Sequence, residues 1–145
     1  MKKSILTTLA GVLCCLTACA DRPQSVTFNE LPEPAQTFIE TYFHTSDIAS
    51  AIREKDGLDV DYDVRLYDGT DIDFNSNGDL EEIDCQVKAV PDGIVPQVVV
   101  TYVMRQFQGQ SIVKYSIDKR TQEVKLSNGQ ELVFDDNGNF LRYDD

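Results

Sequence analysis

The sequence predicts an α+β fold built from two tandem repeats, each a helix followed by an antiparallel sheet of about four strands, with the helices on one sheet face. Three features carry that expectation. The chain resembles itself at a spacing of 60 residues, its apolar residues alternate with period two between Asn-Gly and Asp-Gly turns, and an apolar helical stripe precedes each strand set.

The self-similarity comes first. Residues 62–84 read YDVRLYDGTDIDFNSNGDLEEID and residues 122–144 read QEVKLSNGQELVFDDNGNFLRYD. They align without a gap, and seven of the 23 positions are identical: Val64/Val124, Leu66/Leu126, Gly69/Gly129, Phe74/Phe134, Asn77/Asn137, Gly78/Gly138 and Asp84/Asp144. Chance would give roughly one or two.

Each copy reads as a β-meander. Val64 and Leu66 alternate with charged neighbours, as do Ile72 and Phe74, which is the pattern of a half-buried strand. Asp68-Gly69 and Asn128-Gly129 separate the first two strands, and Asn77-Gly78 and Asn137-Gly138 the next two. These dipeptides accept the positive φ that tight hairpins need. Ahead of the first meander, Ala35, Phe38, Ile39, Tyr42 and Phe43 form one helical stripe, with Pro32 and Pro34 suited to its first turn. Ahead of the second, Ile94, Val95, Val98, Val99, Tyr102, Val103 and Phe107 give a similar stripe after Pro91 and Pro96. Ile112 to Ile117 reads as a strand, while Ile48 to Ile52 is ambiguous between strand and helix.

The N-terminus reads as an export signal. Met1-Lys2-Lys3 is a positive start, Ile5 to Leu16 is apolar, and Leu16-Thr17-Ala18-Cys19 ends in the small residues that lipoprotein processing requires. The apolar run is too short for a membrane span. The expected layout is therefore a lipoprotein-type signal peptide at 1–18, a tether at 19–28, one repeat at 29–86 and a second at 87–145. Lipidation is assigned to Cys19. A competing cut after Ala20 would release a soluble periplasmic protein. If Cys19 is acylated, Cys85 is left without a disulfide partner.

Without residues 1–18 the chain carries 11 basic against 25 acidic side chains, a formal charge of −14. Such a chain repels phosphate backbones, so no nucleic-acid partner is expected. No GxSxG, phosphate loop, HExxH or Cys/His cluster is present, and the single histidine, His44, has nothing tying it to Cys85. The expectation is a non-enzyme without cofactor or metal site, acting as a monomer that meets the membrane only through its lipid.

One metal motif needs weighing. Asp73, Asn75, Asn77, Gly78 and Asp84 match EF-hand loop positions 1, 3, 5, 6 and 12. The flanks are strands rather than helices, and the equivalent stretch of the second copy opens with Val133, so the match is read as a hairpin.

The candidate site is instead a charged sheet face. Asp59, Asp61 and Asp63 alternate with apolar residues and share one side of a strand, and Asp71 and Asp73 should flank them on the next. With Arg65 and Tyr67 these form the partner-binding surface, joined by Lys114, Glu123, Lys125 and Glu131 from the second copy. The expected partner is an envelope protein. The alternative is a protein that binds cations or basic peptides.

A Leu-Pro start to the first helix, Phe43 closing it, then Tyr62-x-Val64-x-Leu66-x-x-Gly69 and Ile72-x-Phe74-x-x-Asn77-Gly78, repeated after 60 residues, resembles the PepSY-like family. Its members are described as similar to the β-lactamase inhibitor protein. The resemblance covers residues 29–145 and implies a tandem α+β fold with a concave sheet surface and an envelope location. The inhibitor proper is braced by disulfides within its repeats. Here Cys85 aligns with Asp145, a departure that weakens the transfer of inhibitor activity, and the expected role is a binding or inhibitor-like module.

Overall fold

The computed structural model describes residues 22–144. The expected signal peptide at 1–18 and Cys19 lie outside the described residues. In order the elements are β1 (Gln24–Ser25), α1 (Glu33–Tyr42), β2 (Ile48–Asp56), β3 (Asp59–Leu66), β4 (Asp71–Phe74), β5 (Leu80–Asp84), α2 (Gln97–Gln106), β6 (Ile112–Asp118), β7 (Thr121–Leu126), β8 (Glu131–Asp135) and β9 (Phe140–Asp144). All nine strands join one sheet in sequence order, and every pair is antiparallel.

This corrects the expected fold class. The chain does not form two tandem helix-plus-sheet repeats, each with its own sheet of about four strands. It forms one nine-stranded sheet carrying two ten-residue helices. The cause lies at β5 and β6, where Glu82 pairs with Ser116, Ile83 with Tyr115 and Asp84 with Lys114. Just beyond, the Cys85 N–H donates to the Val113 carbonyl at 2.9 Å and the Val90 N–H to the Ile112 carbonyl at 2.8 Å. An exposed edge at either strand would leave backbone groups unpaired, and the pairing removes both edges at once.

The helices form where the stripes place them, with one adjustment. Ala35 and Ile39 of α1 are fully buried, as are Val99 and Val103 of α2. Pro96 sits at the N-cap of α2, so the helix starts at Gln97, and Ile94 and Val95 belong to the approach. Proline lacks the N–H that a helix interior needs, whereas a helix start does not use it. Phe38 meets Phe74 edge-on at 5.5 Å between ring centroids, and Tyr102 meets Phe134 edge-on at 5.4 Å. Phe74 and Phe134 have no exposed surface, and burying each contributes about 2–3 kcal/mol.

Strand alternation sorts the sheet into two faces. Val64, Ile72, Ile83, Tyr115, Val124 and Leu132 follow one another across six strands, all buried against the helices in one core. The stretch that is ambiguous in sequence, Ile48 to Ile52, opens the nine-residue β2. Within 19–28, the expected tether, Gln24 and Ser25 pair with Arg53 and Ile52 of β2, and Val26 and Phe28 pack against the core.

Candidate functional site

The face opposite the helices is built from the other strand parity. Asp63 on β3 stands directly opposite Asp73 on β4, and Asp73 opposite Glu82 on β5. One row along, Arg65 faces Asp71 and Asp71 faces Asp84. Asp61 lies opposite Glu54 of β2. Carboxylates placed directly across a strand pair repel one another, so this face depends on solvent and on the few cations within it.

Those cations are specific. The Arg65 guanidinium grips Asp71 with two bonds, Nε to Oδ1 at 2.6 Å and Nη2 to Oδ2 at 2.9 Å. Lys114 on β6 reaches Glu82 at 2.8 Å, and Lys125 on β7 reaches Glu131 at 2.9 Å. Burial works against the Lys114 ammonium, but its hydrogen bond to Glu82 and the charges of Asp84 and Glu123 outweigh that and raise its pKa. Asp73 has no such partner. Half-burial first, then Asp63, Glu82 and Asp71, push its pKa up to about 6, with Lys114 opposing. Asp63 moves the same way, through burial and then Glu54, Asp61 and Asp71.

The sequence-derived residues fall into two groups. Asp61, Asp63, Arg65, Asp71 and Asp73 form a contiguous patch on β3 and β4. Asp59 opens β3 beside the Gly57-Leu58 turn, and Tyr67 follows its last residue and is 77% exposed. Lys114, Glu123, Lys125 and Glu131 continue the face across β6, β7 and β8. Sequence reasoning missed Glu54, Glu82 and Asp84. Glu82 and Asp84 flank the buried Ile83 with the parity of a strand, which was the available signal.

Other polar candidates resolve locally. The Asn75 side-chain oxygen accepts the Asn77 and Asp79 N–H groups at 2.9 and 3.0 Å, which makes this stretch a side-chain-braced hairpin turn. The His44 backbone N–H donates to the Asp47 carboxylate at 3.2 Å, at the start of a single 3-10 turn. Cys85 is buried and its thiol pKa is raised, chiefly by that burial. Three carboxylates, Glu123, Glu131 and Asp144, bring one oxygen each within 4.8 Å of one another near the β9 end of the face. Among the described residues no helix is long and apolar enough to cross a membrane.

Fold and face together define a single-sheet α+β protein with a helix-covered apolar side and an open, largely acidic one. A family model described as "Putative beta-lactamase-inhibitor-like, PepSY-like" matches residues 60–142, and the chain belongs to this PepSY-like family. Three solved structures are similar throughout. A "putative periplasmic protein" of the DUF2874 family from Bacteroides vulgatus is 37% identical with a TM-score of 0.81, over 87% of this chain and 99% of that one. A "putative calcium-regulated periplasmic protein" from Bacteroides thetaiotaomicron is 34% identical with a TM-score of 0.81, over 85% of this chain and 97% of that one. A "putative periplasmic protein of unknown function" from Bacteroides vulgatus is 35% identical with a TM-score of 0.80, over 86% of this chain and 100% of that one. No curated protein matches the chain. These relatives share a periplasmic description, and the chain is a periplasmic protein of this family.

Proposed function

We propose that the protein is a non-enzymatic binding module, held in the envelope by a lipid on Cys19, that docks a partner protein through the open face of its sheet. The carrying observation is the row of opposed carboxylates Asp63, Asp73 and Glu82 across three adjacent strands, in which only Glu82 has an ion pair, with Lys114, next to the Arg65–Asp71 pair. Leaving carboxylates opposed costs stability, and a cationic partner surface would recover that cost on docking. Asp63, Asp71 and Asp73 are only partly buried, whereas a catalytic acid needs a cleft that excludes water. The binding surface comprises Asp59, Asp61, Asp63, Arg65, Tyr67, Asp71 and Asp73.

The test is cross-linking in cells followed by mass spectrometry, comparing wild type with Asp61→Lys/Asp63→Lys. Loss of a wild-type partner in the variant supports the reading. An unchanged set of partners sinks it. The same spectra report whether Cys19 is acylated.

A second reading is cation binding. It is favoured by the Glu123, Glu131 and Asp144 grouping and by the description of one relative as calcium-regulated. Calorimetry with calcium separates the two: saturable heat lost in Glu131→Gln supports it, and its absence counts against it.

A further inference from the structure

The open end of the sheet carries a second message, independent of the open face. β9 is the last strand, with no neighbour on its outer side among the described residues. The opposite end is treated differently, because β1 lies along β2 and the Val26 N–H donates to the Ala51 carbonyl at 3.0 Å. Edge strands are templates for further pairing.

The sheet itself shows what seats on an edge of this kind. β9 repeats the register of β5. Ile72 pairs with Ile83 and Asp71 with Asp84, while 60 residues on Leu132 pairs with Tyr143 and Glu131 with Asp144. The outer side of β5 is occupied by β6, which sets Tyr115 opposite Ile83 and Lys114 opposite Asp84. On the open face this gives a charge row of Arg65, Asp71, Asp84 and Lys114, cation at each end and carboxylates between. Lys125 faces Lys114 and starts the pattern again along the same row with Glu131 and Asp144, where it stops. On the apolar side Val64, Ile72, Ile83, Tyr115, Val124 and Leu132 are all buried, but Tyr143 at the end of that row remains 54% exposed. Arg142 is 3.9 Å from Asp144, a contact too long and too exposed to replace a facing cation.

We infer that β9 accepts an extended segment of another protein as a tenth, antiparallel strand, with a Lys or Arg opposite Asp144 and an aromatic or aliphatic residue opposite Tyr143. Main-chain bonds to the edge supply affinity, and these two positions supply selectivity. A second copy of this chain is the less favoured occupant, because a formal charge of −14 on residues 19–145 opposes self-association.

The test uses isotope-labelled chain covering residues 19–145 with Cys19→Ser, titrated with a capped synthetic peptide of sequence SIVKYSID, the β6 strand and its leading serine (residues 111–118). The expected result is amide shifts concentrated on residues 140–144. A peptide with Glu in place of its lysine should bind at least tenfold more weakly, and Asp144→Lys should reverse that preference. Shifts centred on β5 or on the Asp63–Asp73 face, absence of shifts at β9, or indifference to the charge swap would each overturn the inference. So would sedimentation showing the free chain to be a dimer whose β9 amides are already protected.

Discussion

Asp63 and Asp73 are direct cross-strand partners on β3 and β4, two carboxylates facing one another on the open side of the sheet. The pKa of Asp73 is raised in the fold to about 6, and a raised carboxyl has a definite linkage sign. Between its ordinary value and about 6 the folded chain binds more protons than the unfolded one, so this contribution to stability declines as pH rises through that window. Asp73→Asn removes the charge and keeps the shape. The variant should match wild type near pH 4 and exceed it at pH 7.5 by about 1 kcal/mol, after discounting for solvent screening of a half-exposed group. That is about 3–5 °C in a thermal melt. A difference that does not change with pH would rule out ionisation as the cause.

Gly78 closes the β4–β5 hairpin at φ +85°, directly beneath the start of α1. A Cβ there would lie 2.7 Å from the Pro32 Cβ and 2.9 Å from the Ala35 backbone nitrogen, neither of which can swing away. Gly69 has a similar φ of +91°, but nothing lies within 4 Å of its would-be Cβ. Gly69→Ala should therefore cost about 1 kcal/mol from backbone strain alone, and Gly78→Ala about 2–3 kcal/mol. Urea unfolding of the pair measures the difference. Equal losses would show that packing under α1 contributes nothing.

The local elements were legible because their signals are local. Period-two alternation placed Asp61, Asp63, Asp71 and Asp73 on one face, and the Asn-Gly and Asp-Gly pairs marked the hairpins. The single sheet was not legible, because the β5–β6 junction joins residues about 30 positions apart across a helix, and no spacing in the sequence encodes that pairing. β2 hid for a different reason. Its Ala49, Ser50 and Ala51 are small residues with weak preference, and the sheet around them decides their conformation. Glu82 was obscured by Glu81 beside it. That doublet breaks simple alternation, where the β4–β5 register shifts between Asp73 and Phe74.

Tyr115 and Gln122 form a buried polar pair inside the second half of the sheet. The Tyr115 hydroxyl donates to Gln122 Oε1 at 2.9 Å, and Gln122 Nε2 donates to the Asp135 carbonyl at 2.9 Å. Burial alone pushes the Tyr115 pKa up to about 12, so the hydroxyl keeps its proton as donor at neutral pH. Tyr115→Phe leaves the Gln122 oxygen buried without its donor and should cost about 1–3 kcal/mol. Adding Gln122→Leu removes that orphaned acceptor, so the double variant should lose less than the sum of the singles. Additive losses in denaturant unfolding would mean that the two side chains are not coupled.

A continuous sheet also dictates how the molecule melts. Two separate sheets would unfold in two steps, each with its own core. Here Ile83 of β5 is fully buried opposite Tyr115 of β6, in the core shared with both helices. Residues 19–145 should therefore unfold in one calorimetric transition, with the van't Hoff and calorimetric enthalpies equal. Ile83→Ala removes a side chain with no exposed surface and should cost about 2–5 kcal/mol. Because that cost falls on the join between the halves, it should lower the whole transition. If instead the variant melted in two stages, with one half keeping the wild-type midpoint, the halves would be independent and the junction a mere contact.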